Sequence, residues 1–293
     1  MKKNGKLTLV ALAAGIILST VVRFFVITKH TEMTTGFLYH GDELLWNGLY
    51  YGVVLLMSIA AIFTVMADKK KDTETLTASG IGRGRTIMIG LITMTAAVFA
   101  AYEGMDEMRA FTPTKFLIAA DFLFAVVLAV IAFVTLYHKT FKPVIGYLYS
   151  LIGAYCICRG VYCFMSRMAI STVPEYLIEC LGLIGMAIYF VLLGRFLSGN
   201  DSKLTKNALG FWGVGTASLT FSSAIASFVA KLAAPEEIST RIVYNSAAAE
   251  SYRQASAGFD AYKMVITSWV DIVLGVLIVV SLVIAFTKPS ESN

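Results

Sequence analysis

Residues 116–137, "FLIAADFLFAVVLAVIAFVTLY", form an apolar run whose one ionisable carboxylate is Asp121. A hydrocarbon layer of about 30 Å is crossed by about 20 apolar residues wound as an α-helix. This run meets that length, and it has company. Working outward, comparable runs lie at Leu7–Thr28, Asn47–Ala67, Thr86–Ala101, Pro143–Met165, Glu175–Leu197, Ala208–Leu232 and Val265–Thr287. The third is the shortest. The runs are continuous, whereas a membrane barrel shows alternating segments of about 10 residues. Backbone groups in lipid must be satisfied within the segment, so each run reads as a helix. The expectation is an all-α, polytopic transmembrane bundle of eight spans.

Composition agrees. Of the 293 residues, 57% are hydrophobic and 15% charged. Soluble domains carry about 45–50% apolar and about 25% charged residues, so the lipid bilayer is the expected partner for much of the surface. The first run follows Lys2 and Lys3 as a signal peptide would, but it exceeds that length and no small-x-small site follows it. It reads as an uncleaved span.

Short basic loops set orientation. With the N-terminus inside, thirteen Lys and Arg fall in inner segments, among them Lys69–Lys71, Arg83, Arg85, Lys139, Lys142, Lys203 and Lys206, against eight in outer ones. Both termini are therefore expected in the cytoplasm. The net charge of +5 follows from that bias. The basic residues are spread over several loops with no aromatic-studded groove, so nucleic acid is not an expected partner. The segment Asp68–Arg85, with "GIGRGR", lacks a Gly-Lys-Ser/Thr ending and reads as a linker. Residues 233–264 form the longest outer loop, with Pro-Glu-Glu suited to a helix start.

The two halves echo each other. Arg23 and Glu43 recur as Arg159 and Glu179 at an offset of 136, as do Lys3, Lys6 and Lys70 with Lys139, Lys142 and Lys206. Asp121 and Asp271 occupy matching places in the fourth and eighth spans. The expected organisation is two tandem four-span halves, 1–137 and 138–293.

Arg23, Asp121, Arg159, Glu179 and Asp271 all fall one to two turns below the outer end of their spans. A charge at the bilayer centre costs about 2.5–3.5 kcal/mol. Arg can snorkel toward headgroups, but short aspartates cannot, so Asp121 and Asp271 are expected to face the bundle. They would pair with Arg23 and Arg159 or line a wet pocket. These five residues are the candidate ligand-binding site for a small polar solute reached from outside. The alternative is an ion-pair layer in a non-transporting scaffold or sensor subunit. Glu103, Asp106 and Glu107, like His40, Asp42 and Glu43, read as a solvated acidic rim. No metal site, cofactor or catalytic constellation is expected: Gly-x-Ser-x-Gly and His-Glu-x-x-His are missing. The inner half of each span offers mainly hydroxyls, which counts against a charged relay across the membrane. Cys156, Cys158, Cys163 and Cys180 read as packed thiols, with a Cys163–Cys180 disulfide as the alternative.

The stretch "RFFVITKHTEMTTGFLYHGDELLWNGLYYGVVLL", residues 23–56, resembles a set of uncharacterised bacterial multi-span membrane proteins through Arg23, Phe24, Glu32, Thr35 and Gly36. The resemblance implies a protein of the bacterial cytoplasmic membrane and carries no activity.

Overall fold

The computed structural model describes residues 3–30, 43–66, 81–109, 115–138, 143–167, 174–199, 203–233 and 268–287. They form helices α1 (Lys3–Phe25, extended by a π-turn at Val26–His30), α2 (Glu43–Met66), α3 (Arg83–Arg109), α4 (Lys115–Tyr137), α5 (Pro143–Arg167), α6 (Pro174–Leu197), α7 (Lys203–Ala233) and α8 (Trp269–Phe286). Among the described residues there is no strand. Seven of the described helices are long and apolar enough to cross a membrane. The chain is an all-helical bundle of the integral membrane type. Residues 31–42 and 234–267, which hold Glu32, Thr35, Gly36 and the long outer loop with its Pro-Glu-Glu, lie outside the described residues.

The faces of α4 show how lipid shapes the sequence. Leu123, Val126, Val130 and Phe133 are exposed, Leu123 by 67%. Asp121, Phe124, Leu128, Ile131 and Thr135 are buried on the opposite side. The helix therefore turns large apolar side chains outward and keeps its carboxylate within the protein, the reverse of a soluble amphipathic helix.

Inter-helix contacts give the direction of every helix. Thr93–Tyr149 and Glu103–Arg159 join α3 and α5 at a constant separation of 56 residues, so these run parallel. Thr135–Tyr149 and Asp121–Tyr155 make α4 antiparallel to α5. Likewise α1 runs with α7, and α2, α6 and α8 run against it. Odd-numbered helices thus all point to one face, termed here the odd-end face.

The remaining helix, α7, is the one diluted by Ser, Thr and Gly. It packs against α1, α2, α6 and α8, and its composition follows from that central place. Apolar side chains gain nothing by moving from lipid into protein, so helices associate through close backbone approach and polar contacts. Here glycines face hydroxyls. A Cβ on Gly15 would lie 2.6 Å from Ser218 Oγ, and one on Gly215 would lie 2.7 Å from Ser58 Oγ. Gly185 meets Thr216 in the same way, and Gly146 and Gly194 meet Ser198 and Ser150. Each hydroxyl approaches a Cα, where weak C–H···O contacts are available.

Several boundaries differ from expectation: α1, α2 and α7 begin at Lys3, Glu43 and Lys203, ahead of the apolar runs read at Leu7, Asn47 and Ala208, and the third and last helices differ as well. The third span was read as Thr86–Ala101, but α3 continues to Arg109 because Ala96, Ala97, Ala100, Gly104 and Glu107 extend one buried face past the apolar run. Arg83 and Arg85, read as linker, form its first turn, where Gly82 O accepts the Arg85 and Thr86 amides. The last helix starts at Trp269, four residues later than read. The two expected halves interleave: α7 packs on α1 and α2, while its positional counterpart α3 packs on α4 and α8.

Candidate functional site: a carboxylate cluster around Arg159

Arg159 lies on α5 about two turns from the odd-end face. Its Nη1 donates to Glu103 Oε2 on α3 at 2.9 Å and to the Tyr155 hydroxyl at 3.2 Å. Asp271 Oδ1 on α8 stands 4.0 Å away. The Tyr155 hydroxyl donates to Asp121 Oδ1 on α4 at 2.5 Å, linking that carboxylate to the cluster. The Tyr155 ring is held by stacking on Phe124, with centroids 3.5 Å apart and planes inclined by 4°. The Arg159 and Glu103 side chains are 12% and 16% exposed, so the pair is largely but not wholly shut off from its surroundings.

Glu103 does two jobs. Its other oxygen, Oε1, accepts the Val270 amide at 3.1 Å and the Ser268 hydroxyl. Ser268 stands at the N-cap of α8 but makes no side-chain cap bond of its own. A carboxylate from α3 therefore satisfies the first turn of α8, where the helix dipole favours negative charge. At the far end of the same helix, Arg85 Nη1 donates to Thr287 O at 3.3 Å. Glu103 and Arg85 are about 27 Å apart along α3, matching the rise of α8 from Val270 to Thr287. One helix thus clamps both ends of the other with charges of the appropriate sign.

All five sequence-predicted residues can now be placed where their side chains are described. Asp121, Arg159 and Asp271 come together as one cluster. Asp121 and Asp271 are each 3% exposed and face the bundle, as expected. Asp271 stands beside Arg159, and Asp121 reaches it through the Tyr155 hydroxyl. Glu179, on α6, accepts from the Cys163 thiol at 3.6 Å and lies within electrostatic range of Asp271. Arg23 is 1% exposed on α1, and its guanidinium carbon stands 6.0 Å from the Tyr50 ring centre. The Tyr50 hydroxyl in turn shares a 2.6 Å hydrogen bond with Ser222 on α7.

Two participants were missed. Glu103 was assigned to a solvated rim because α3 was ended at Ala101. Its signal was present: Ala96, Ala100, Glu103 and Glu107 continue the three-four spacing of one helix face. Tyr155 was not singled out, although it stands one turn before Arg159 on the same face. Glu107 is also buried, at 9% exposure. The four cysteines are free thiols, and Cys163 and Cys180 are not bridged.

Among the described residues of the cluster, carboxylates outnumber cations. Glu103, Asp121 and Asp271 lie around the Arg159 guanidinium, with Glu107 and Glu179 within electrostatic range of the aspartates. Among the described residues, no three His, Cys, Asp or Glu side chains converge tightly enough to hold a metal ion. Fold and site together define an integral membrane protein with a buried carboxylate–guanidinium cluster near one face. No family model, curated protein or solved structure matches the chain.

Proposed function

We propose that the protein sits in the cell membrane with both termini in the cytoplasm and binds a small polar solute from the outer, odd-end face. Its site is the cluster of Arg159, Asp121, Asp271, Glu179 and Glu103, with Arg23 as a second cation on α1. A buried carboxylate oxygen left without a donor carries this reading. A cluster built for structure alone would give each buried polar atom a hydrogen-bond partner, because an unmet one costs about 1–3 kcal/mol. Here Asp271 Oδ1 is buried without a hydrogen-bond partner and has Arg159 only at 4.0 Å. A bound solute that supplies hydrogen-bond donors would complete it.

The test compares wild-type protein and Asp271→Asn in nanodiscs. Thermal unfolding is followed against a panel of small amines, amino acids, sugars and carboxylates. A solute at 100 times its dissociation constant adds about 2.7 kcal/mol, which a melting curve resolves. The expected result is a saturable upward shift with at least one class, lost in a variant that still folds. A second reading, a scaffold subunit, is favoured by the clamp of α3 on α8. Its signature is a variant that fails to assemble and a wild type that no solute stabilises.

A further inference from the structure

Three buried hydroxyls of α7, those of Thr216, Ser218 and Thr220, make no hydrogen bond, and that of Thr220 lies beside the cluster. Thr220, on α7, is 5% exposed, and its Oγ1 makes no hydrogen bond. Its methyl carbon packs 3.2 Å from where a Cβ on Gly275 of α8 would lie. Its hydroxyl faces α6 at Gly182, where a Cβ would meet nothing nearer than that oxygen, at 4.0 Å. Elsewhere on α7 the hydroxyls of Thr216 and Ser218 press tightly on a glycine. Thr220 Oγ1 has room in front of it.

The register places the acids above that room. Gly275 lies one turn after Asp271, and Gly182 one turn after Glu179; both α6 and α8 begin at the odd-end face. Asp271 and Glu179 are therefore about 4–6 Å closer to that face than Thr220, within electrostatic range of each other. Two carboxylates stand nearer the face, a hydroxyl oxygen lies below them, and Gly182 leaves the α6 side without a side chain, while the Thr220 methyl and the Phe221 ring fill the space at Gly275.

We propose that Asp271, Glu179 and Thr220 form a subsite for a protonated primary amine, an R–NH3+ group. The inference rests on the solute-binding reading above and names its chemical class. An ammonium carries three N–H donors, and the three groups supply three acceptors around it. A metal ion suits the place less well: calcium asks for about 6–8 oxygens and magnesium for a near-ideal octahedron, whereas two carboxylates and one hydroxyl stand here, and among the described residues no three His, Cys, Asp or Glu side chains group to hold a metal. A quaternary ammonium has the charge without the donors and would leave the acceptors unmet.

Methylammonium, tetramethylammonium and sodium chlorides at equal ionic strength are the probes. The expected result is saturable thermal stabilisation by methylammonium, with neither other cation reproducing it. Thr220→Val removes the hydroxyl acceptor at nearly constant shape. It should leave the melting temperature without amine unchanged or raised, since a buried oxygen lacking a partner is removed. It should weaken methylammonium binding about tenfold or more, the usual worth of a hydrogen bond to a charged group. If sodium or tetramethylammonium stabilises equally, or Thr220→Val binds methylammonium as wild type does, the amine subsite is wrong while solute binding stands. If the whole solute panel fails as well, both readings fall.

Discussion

Arg159 gathers oxygen atoms from α3, α5 and α8, so its loss is felt on three helices at once. Removing one partner of a buried ion pair leaves the other charge uncompensated, at a cost of about 3–5 kcal/mol. Glu103→Ala should lose that much, because it also uncaps α8. The double variant with Arg159→Ala should lose less than the sum of the two single losses, since Glu103 is no longer stranded, the remaining loss coming from Asp121 and Asp271. Unfolding midpoints in a fixed detergent close this cycle; simple additivity would show that the two side chains do not act as a pair. Tyr155→Phe keeps the ring stacked on Phe124 and deletes only the hydroxyl between Asp121 and Arg159. A loss of about 1–3 kcal/mol is expected, read in the same assay.

At the scale of elements, the contact between α5 and α6 depends on two glycines that face one another. A Cβ on Gly194 would lie 2.6 Å from Gly146 O, a backbone atom that cannot step aside. Gly194→Ala should therefore push the helices apart and cost about 1–3 kcal/mol, although alanine is the better helix former. An unchanged or raised melting temperature would show that the two backbones are not in contact. Much of this layer was legible in sequence. Length and apolar continuity announce the helices, and small residues such as Gly153 and Gly185 mark close approach. The boundaries of α3 were not legible from hydropathy, because Glu103 and Glu107 are polar by composition and buried by position.

At the scale of the molecule, antiparallel succession of all eight helices puts the ends of the odd-numbered ones on one face. Under the proposed orientation, with basic loops inside, that face is the outer one. In a background without native cysteines, Lys115→Cys should react with a membrane-impermeant maleimide applied to intact cells, and His138→Cys should react only after permeabilisation. The reverse pattern would invert the protein and place the carboxylate cluster toward the cytoplasm.

Sequence alone determined that this chain lives in lipid, that it is helical, and that Asp121 and Asp271 turn inward. Those conclusions follow from solvation, which acts residue by residue and is written in local composition. Only tertiary structure decided that both aspartates share Arg159, that Glu103 caps α8 from another helix, and that Thr220 stands below Asp271 and Glu179. Which charges meet depends on rotation and register between helices far apart in the chain. Glycine–hydroxyl contacts set that geometry, and no hydropathy profile records them.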